Sequence, residues 1–416
     1  MSGARPLRVA LVDPSRQAPA YVRQLGRALS EVGCDVSLLT APLLYDVLEG
    51  DDGGVAERLV FGRLLAPLSG RPHDAGGRQA EPRPLPAAAR SAVARRALRA
   101  ATYPAEAAGV AALCLKERPD IVHLQWSLAP PLDGLWLRAL RRAAVPVVYT
   151  AHNVVPHEPR PWHPAFHRWL QGAAHVVIAH SRATRERLID LGGVSAARVA
   201  VVPMPADEPE SRLGRAEARA SLSPPLPPDA PVVLFFGHVR PYKGLETLID
   251  AVPRLLESVP AARIRVCGPV SGGHAGAKRI TELAASRGVA SAVYLRPGYM
   301  PAGIAAASLA AADVVVLPYV TASDSAVLAG ARGRGRAVVA TDVPPLAEAL
   351  EAGGGIVVPR GDPAQLADAL AAVLGQPDTK ARLEREARDA AAAWTWRDAA
   401  EATVNVYRAA AGMTAP

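Results

Sequence analysis

Lysine is almost absent from this chain. Four lysines stand against 43 arginines in 416 residues, so arginine carries most of the basic half of a formal net charge of +8 and a pI near 9.7. A basic balance of this size fits an acidic partner such as a nucleotide, a nucleic acid or an anionic membrane. The basic residues are scattered through every segment and form no tail. That pattern reads as compositional bias and gives no footing for nucleic-acid binding. Cysteine is also scarce. Cys34, Cys114 and Cys267 are odd in number and far apart, which excludes a disulfide framework and a CxxC metal pattern and fits a reducing compartment. Long apolar runs are missing too: the least polar stretch, Gly303 to Tyr319, contains Asp313 and ends in a Val-rich strand and a proline. It reads as a buried helix and strand rather than a membrane span. An apolar strand begins within six residues of the N-terminus, too soon for a signal peptide. The expected location is therefore cytoplasmic, at most peripheral at the inner membrane face.

Several catalytic signatures are absent as well. There is no Gly-x-Ser-x-Gly elbow, no GxGxxG after the first strand and no Asp-x-Asp pair. These absences argue against a nucleophilic-elbow hydrolase, a dinucleotide-binding dehydrogenase and a metal-bridged diphosphate respectively. No metal or other cofactor is expected.

What is present is a regular alternation. Half the residues are apolar, enough for substantial cores, and the length calls for two or three domains. Short β-branched runs at 8–13, 35–40, 120–126, 146–152, 175–180 and 198–203 alternate with Ala/Leu/Arg-rich helical stretches. After a proline-rich link at 206–228 the pattern restarts, with runs at 231–237, 263–268, 292–296, 313–319, 337–342 and 355–359. This is the pattern of parallel βαβ units, and each half holds enough strands for its own doubly wound sheet. The expected division is 1–205, with 395–416 packing back on it, and 206–394. Residues 45–104 look irregular. Within them "SAVARRALRA" (91–100) reads as a basic amphipathic helix, either a solvated surface or a contact with an anionic membrane. The final stretch places Trp396, Val404 and Tyr407 at helical spacing, which needs a surface to cover.

In open α/β sheets, ligands bind outside the carboxyl ends of the strands. Three such ends carry suggestive residues. After PVVLFFG comes HVRPYKG and then a helix; Gly237, His238, Arg240 and Lys243 lie on this turn. A guanidinium and an ammonium beside a helix N-terminus suit a diphosphate. After DVVVLPY, Ser323, Asp324 and Ser325 have N-cap chemistry, and the amides of Ser325 and Ala326 would face a second phosphate oxygen. After PVVYT, His152 and Asn153 lead a proline-rich loop with His157, Glu158, Trp162 and His163. The spacing of these histidines does not suit zinc, and the loop reads as one that positions a sugar or an acceptor.

"FFGHVRPYKGLETLIDAV", "LPYVTASDSAVLAGARGRGRAVVATDV", "GGGIVVPRGDPAQLADAL", "PDIVHLQW" and "PVVYTAHNVVPHE" together resemble family 4 retaining glycosyltransferases of the GT-B fold. The likeness runs from about Arg8 to the last helix and is weakest across 45–104 and 206–228. It implies two Rossmann-like domains facing each other across a cleft, with the last helix crossing back to the first. The expected reaction is metal-independent transfer of a sugar from a nucleotide diphosphate to a hydroxyl, with retention. A UDP-sugar is the first donor expected and GDP-mannose the next. The acceptor is a glycan, a glycolipid or a small molecule, in polysaccharide assembly or the decoration of a metabolite. The resemblance places Lys243 and Arg240 on the leaving diphosphate, and Ser325 at the helix start that touches phosphate. It places His152 at the junction of donor sugar and acceptor, and makes Glu348 a donor-side residue. Acceptor-side roles fall on His152, Asn153, His157 and Glu158. The family's pair of glutamates falls on Ala322 and Gly330, neither acidic. That departure keeps two other readings open: a nucleotide-sugar-binding protein with impaired catalysis, and a nucleotide-sugar hydrolase or epimerase.

Overall fold

The computed structural model describes residues 5–41, 55–62, 92–207 and 213–413. All twelve apolar runs read from the sequence supply strands. They fall into two parallel sheets, each the centre of a compact unit. The first unit comprises residues 1–180, 184–203 and 396–416; the second comprises 181–183 and 204–395.

The first sheet has the order β3-β2-β1-β4-β5-β6-β7: β1 (Leu7–Asp13), β2 (Cys34–Thr40), β3 (Ala56–Leu59), β4 (Ile121–Leu124), β5 (Val147–Thr150), β6 (Val176–Ala179) and β7 (Val199–Val201). The central strands β4, β5 and β6 are buried along their whole length, as expected where helices cover both faces. The edge strand β3 lies inside the stretch read as irregular. Its sequence, AERL, has no β-branched residue and two charged ones, so it carries no strand signal and is held by its ladder to β2. The helix expected at 91–100 is the start of a longer one, Ala92–Glu117, which contains Pro104. Residue 91 and the side chains of 92–96 lie outside the described residues, as do 63–90.

The second sheet has the order β10-β9-β8-β11-β12-β13: β8 (Val232–Phe236), β9 (Arg263–Gly268), β10 (Val293–Pro297), β11 (Val314–Leu317), β12 (Ala337–Thr341) and β13 (Gly355–Val358). The low-polarity stretch resolves into the helix Ala302–Ala311 followed by β11, every residue of which is buried. Asp313 between them is buried as well. Burial pushes its carboxyl up, but the Val232 N–H at 2.8 Å, Lys380 at 3.2 Å and Arg219 at 2.6 Å outweigh that and hold it below its ordinary value.

In both sheets the strand order reverses once, between β1 and β4 in the first and between β8 and β11 in the second. A doubly wound sheet leaves a crevice beyond its strand ends at such a point. The last helix, Trp396–Gly412, belongs to the first unit and packs on the helix Pro19–Glu31. It buries Trp396, Ala399, Ala400, Thr403, Val406, Tyr407 and Ala410. Val406 rather than Val404 completes the stripe, because 396, 399, 403, 406 and 410 follow the 3.6-residue turn closely.

Candidate active-site residues

In the second unit, the chain leaving β8 makes a tight path. Gly237 has φ +100° and donates its N–H to the Cys267 carbonyl at 2.9 Å. A Cβ on Gly268 would fall 2.1 Å from the Gly237 carbonyl oxygen, so the ends of β8 and β9 approach this closely only without that side chain. A short 3-10 turn, Pro241–Lys243, follows, and Gly244 in the left-handed conformation leads into the helix Leu245–Ser258. The turn is pressed onto the segment after β11: the Val320 N–H donates to the Tyr242 carbonyl at 2.8 Å, and a Cβ on Gly244 would meet the Pro318 oxygen at 1.9 Å. These constraints aim Lys243. Its Nζ donates to the Tyr319 hydroxyl at 3.0 Å and lies 4.8 Å from that ring's centroid. A Cβ on Gly237 would stand 3.1 Å from the ammonium and 3.6 Å from Val327 on the helix Ala326–Gly333. The charge, the glycine and the helix start thus meet at the reversal between β8 and β11.

Ser325 is the N-cap of that helix, its Oγ accepting from the Leu328 N–H at 3.3 Å, and Ala326 is its first, exposed residue. Asp324 does not cap. It is half-buried, and its Oδ2 is shielded and unpaired; burial, then the charge of Glu348, push its carboxyl well above the ordinary range. His238 turns toward the loop after β9, its Nε2 3.3 Å from Ser271 Oγ. Arg240 is half-buried at the edge of the turn, where its carbonyl accepts from the Lys243 N–H at 3.0 Å. Glu348 is occupied by residues of the same unit: its carboxylate accepts the N–H groups of Arg182 at 2.7 Å and Ala183 at 3.0 Å. Ala322 is buried, and the side-chain direction of Gly330 points at Leu309 Cδ1, 3.1 Å from an added Cβ. A glutamate there would need that leucine to move.

In the first unit, rings gather from the ends of β4, β5 and β6. His152, buried directly after β5, stacks on Trp126 at 4.3 Å and 4°, and meets Tyr21 edge-on at 5.3 Å. His180, after β6, lies 5.1 Å from His152. Tyr21 also touches His180 and Trp396. Burial, then the charges of His180 and His123, hold His152 well below the ordinary imidazole range. Burial likewise lowers His180 to about 4 against the hydrogen bond to Val202. The neutral His180 places Nδ1 2.8 Å from the Val202 carbonyl, so Nδ1 carries the proton and Nε2 presents a lone pair. Nε2 of His180 and of His152 are both buried and unpaired, whereas buried polar atoms are ordinarily satisfied. Beneath them His123, lowered to about 3 by burial, links Tyr407 at 2.7 Å and Thr150 at 2.8 Å. Asn153 and His157 are half-buried beyond His152, and Glu158 is exposed. Among the described residues no three His, Cys, Asp or Glu side chains gather as a metal cage.

Sequence reasoning missed Trp126, His180, Tyr21 and Tyr319. Trp126, His180 and Tyr319 end the strings DIVHLQW, HVVIAH and DVVVLPY, so attention to the last residue of every strand string, rather than to the loops that follow three of them, would have found these three; Tyr21, inside the helix Pro19–Glu31, carried no such signal.

Residues 18–208 match the family described as "Glycosyltransferase Family 4", and residues 230–376 match "Glycosyl transferases group 1". A D-inositol 3-phosphate glycosyltransferase of Nocardia farcinica is 32% identical over 306 residues, covering 70% of this chain and 66% of that protein, just under two thirds of its length. The protein of that name from Xylanimonas cellulosilytica is 32% identical, covering 69% of this chain and 71% of its own. Among solved structures, sucrose-phosphate synthase from Thermosynechococcus elongatus superposes with a TM-score of 0.72 at 22% identity, covering 98% of this chain and 99% of that one. Anabaena HepE, solved with UDP, superposes with a TM-score of 0.67 at 17% identity, covering 98% and 99%. The chain belongs to the family 4, group 1 glycosyltransferases of the GT-B fold.

Proposed function

We propose that this chain transfers a sugar from a nucleoside diphosphate to a hydroxyl group, with retention at the anomeric carbon and without a metal ion. The observation that carries the reading is the convergence of Lys243, Gly237 and the Ser325-capped helix start where the second sheet's order reverses. Breaking the bond between sugar and phosphate builds negative charge on the departing diphosphate. A fixed ammonium and the free N–H groups of a helix start stabilise that charge where it develops. Gly237 has no side chain to crowd the ammonium, which lies 3.1 Å from where a Cβ would stand. Arg240, on the same turn, adds a second cation. The known ligands of relatives point the same way: HepE is solved with UDP and with UDP-glucose. UDP-sugars are therefore the first donors to test and GDP-mannose the next. In the first unit, the neutral imidazoles of His152 and His180 offer lone pairs to acceptor or sugar hydroxyls. The acceptor is a glycan, glycolipid or small polyol; the relatives named for D-inositol 3-phosphate make a phosphorylated polyol the first to test.

A thermal-shift panel of UDP, GDP, ADP and their sugar conjugates tests the donor assignment, because a ligand that binds only the folded state raises its stability. A shift with one nucleotide family supports the reading and names the base; no shift with any overturns it. Donor consumption measured with and without EDTA then tests metal independence. One observation favours a second reading: Ala322 and Gly330 leave the glutamate positions of the family without carboxylates. A nucleotide-sugar-binding protein with impaired catalysis would bind donor and turn nothing over with any acceptor. A hydrolase would consume donor with no acceptor present.

A further inference from the structure

The loop that begins at His152 leads into the helix His163–Gln171, and that helix shows an unusual face. Trp162, Phe166 and Trp169 stand at i, i+4 and i+7, the spacing that normally turns one side of a helix into a core. Here the helix buries Leu170 and Gln171 instead. Trp162 is 49%, Phe166 39% and Trp169 41% exposed. On the neighbouring helix Pro130–Arg142, Leu135 is 56% exposed, and Leu191 is exposed as well. Pro164 and Ala165 complete the solvent side of the helix, with Arg168 as its one exposed charge. Exposed apolar residues are ordinary when scattered; a patch of aromatics on one face marks an interaction surface.

The surround of the patch is basic. The Arg138 guanidinium stacks on Trp169, its Cζ 3.4 Å from the ring centroid, and Arg160 lies 5.6 Å from Trp162. Arg168 reaches back to the Leu191 carbonyl at 3.2 Å, tying that leucine to the same face. Arg141 and Arg142 lie on the same helix as Leu135 and are exposed. Burial, then the charges of Arg141 and Arg142, pull Arg138 below its ordinary range, so these cations act on one another. The exposed carboxylates of the adjoining segments are Glu158 in the loop and Glu186 and Asp190 on the helix that precedes Leu191, fewer than the five guanidiniums. Asp133, under the patch, is buried and its oxygens accept from Tyr103, Trp136, Ser127, Leu128 and Ala129.

Tryptophan and phenylalanine on one face, ringed by arginine, suit the boundary between acyl chains and anionic headgroups. The rings enter the interface and the guanidiniums meet lipid phosphates. We propose that this aromatic face, Trp162–Phe166–Trp169 with Leu135, docks the first unit onto an anionic lipid bilayer. The sequence offered membrane contact at 91–100, a different helix, as one of two readings beside a solvated surface. No helix of the described residues is long and apolar enough to cross a membrane.

The test is sedimentation of the full chain with vesicles of phosphatidylcholine alone and of phosphatidylcholine with phosphatidylglycerol. Trp169 is wedged against Gly134 and Arg138, so the variants avoid it: Trp162→Ser with Phe166→Ser, and Arg142→Glu. Thermal melts confirm that each folds as the parent does. The expected result is binding to anionic vesicles that weakens ~10-fold or more in the double variant and falls in Arg142→Glu and at high salt. Equal binding to neutral and anionic vesicles, or binding unchanged in the double variant, overturns the proposal. So does a dimer by light scattering that dissociates in the double variant without any vesicle binding, which would assign the face to a second copy of this chain.

Discussion

The Nζ of Lys243 donates to the hydroxyl of Tyr319 at 3.0 Å, across the point where the second sheet reverses its strand order. The two residues follow β8 and β11, neighbours in the sheet that lie far apart in sequence. The contact aims a flexible side chain, because the phenol takes one of three ammonium hydrogens and leaves two for a ligand.

Lys243→Ala should keep the fold, with a stability loss of about 1 kcal/mol, the scale of one hydrogen bond lost at a buried hydroxyl. Its turnover with the preferred donor should fall about 10²-fold or more, the usual scale for one charge-stabilising donor. Tyr319→Phe should lose less, because the cation stays and only its aim loosens. Steady-state kinetics of the two variants, beside their melting curves, decide this. Equal losses, or near-normal turnover in Lys243→Ala, remove the phosphate role.

Gly244 and Gly288 separate strain from collision. Both have positive φ, +63° and +73°. An added Cβ at 244 meets the Pro318 oxygen at 1.9 Å, whereas at 288 nothing lies within 4 Å. Gly288→Ala should cost about 1 kcal/mol of backbone strain. Gly244→Ala should cost more than about 2 kcal/mol and also displace Lys243, so that nucleotide binding weakens. Denaturant melts with and without nucleotide measure both effects, and equal costs at the two positions would contradict this packing.

The unpaired imidazoles make stability depend on pH. His180 falls from an ordinary 6.5 to about 4, so between those values the unfolded chain binds the proton that the folded chain refuses. Stability from this group is present above pH 6.5 and lost as pH falls toward 4. Asp13 and Asp133, pushed up by burial, work in the opposite sense. The comparison with His180→Asn isolates the histidine. The stability deficit of that variant at pH 7.5 should shrink by about 3 kcal/mol by pH 4. A constant deficit across the range would mean that His180 is solvated.

The fold was legible because its signal is local. A strand such as Val314–Leu317, buried on both faces, must be apolar throughout, and the central runs announced themselves for that reason; the edge strand Val293–Pro297, which is not buried, did so through its Val, Tyr and Leu. Ala56–Leu59 did not, because an edge strand is specified by its partner rather than by its own side chains. The Lys243 turn was legible for a similar reason: a charge beside glycine before a helix has a local physical meaning. The ring cluster was not. His180 gains its meaning from Trp126, Tyr21, His152 and Trp396; with His180 these five residues come from five separate places in the chain and meet only in the fold. Likewise the aromatic spacing at 162, 166 and 169 reads as an ordinary core face until the packing shows it turned outward.

Asp133 supplies the strongest stability test in the first unit. Its buried carboxylate accepts from the Tyr103 hydroxyl, from Trp136 Nε1 at 3.0 Å, from Ser127 Oγ at 2.6 Å and from the N–H groups of Leu128 at 3.1 Å and Ala129 at 3.0 Å. The last two are donors at the start of the helix Pro130–Arg142, so the residue closes that helix end and joins it to the helix Ala92–Glu117 through Tyr103. Asp133→Ala strands several buried donors at once and should cost about 3 kcal/mol or more. Asp133→Asn keeps one acceptor oxygen and should cost less. Tyr103→Phe, which removes a donor together with its need for a partner, should cost about 1 kcal/mol. Urea melts of the three variants should therefore rank alanine, asparagine and then the phenylalanine control in falling cost. A Tyr103→Phe loss as large as that of Asp133→Ala would show that the tyrosine, rather than the carboxylate, holds the two helices together.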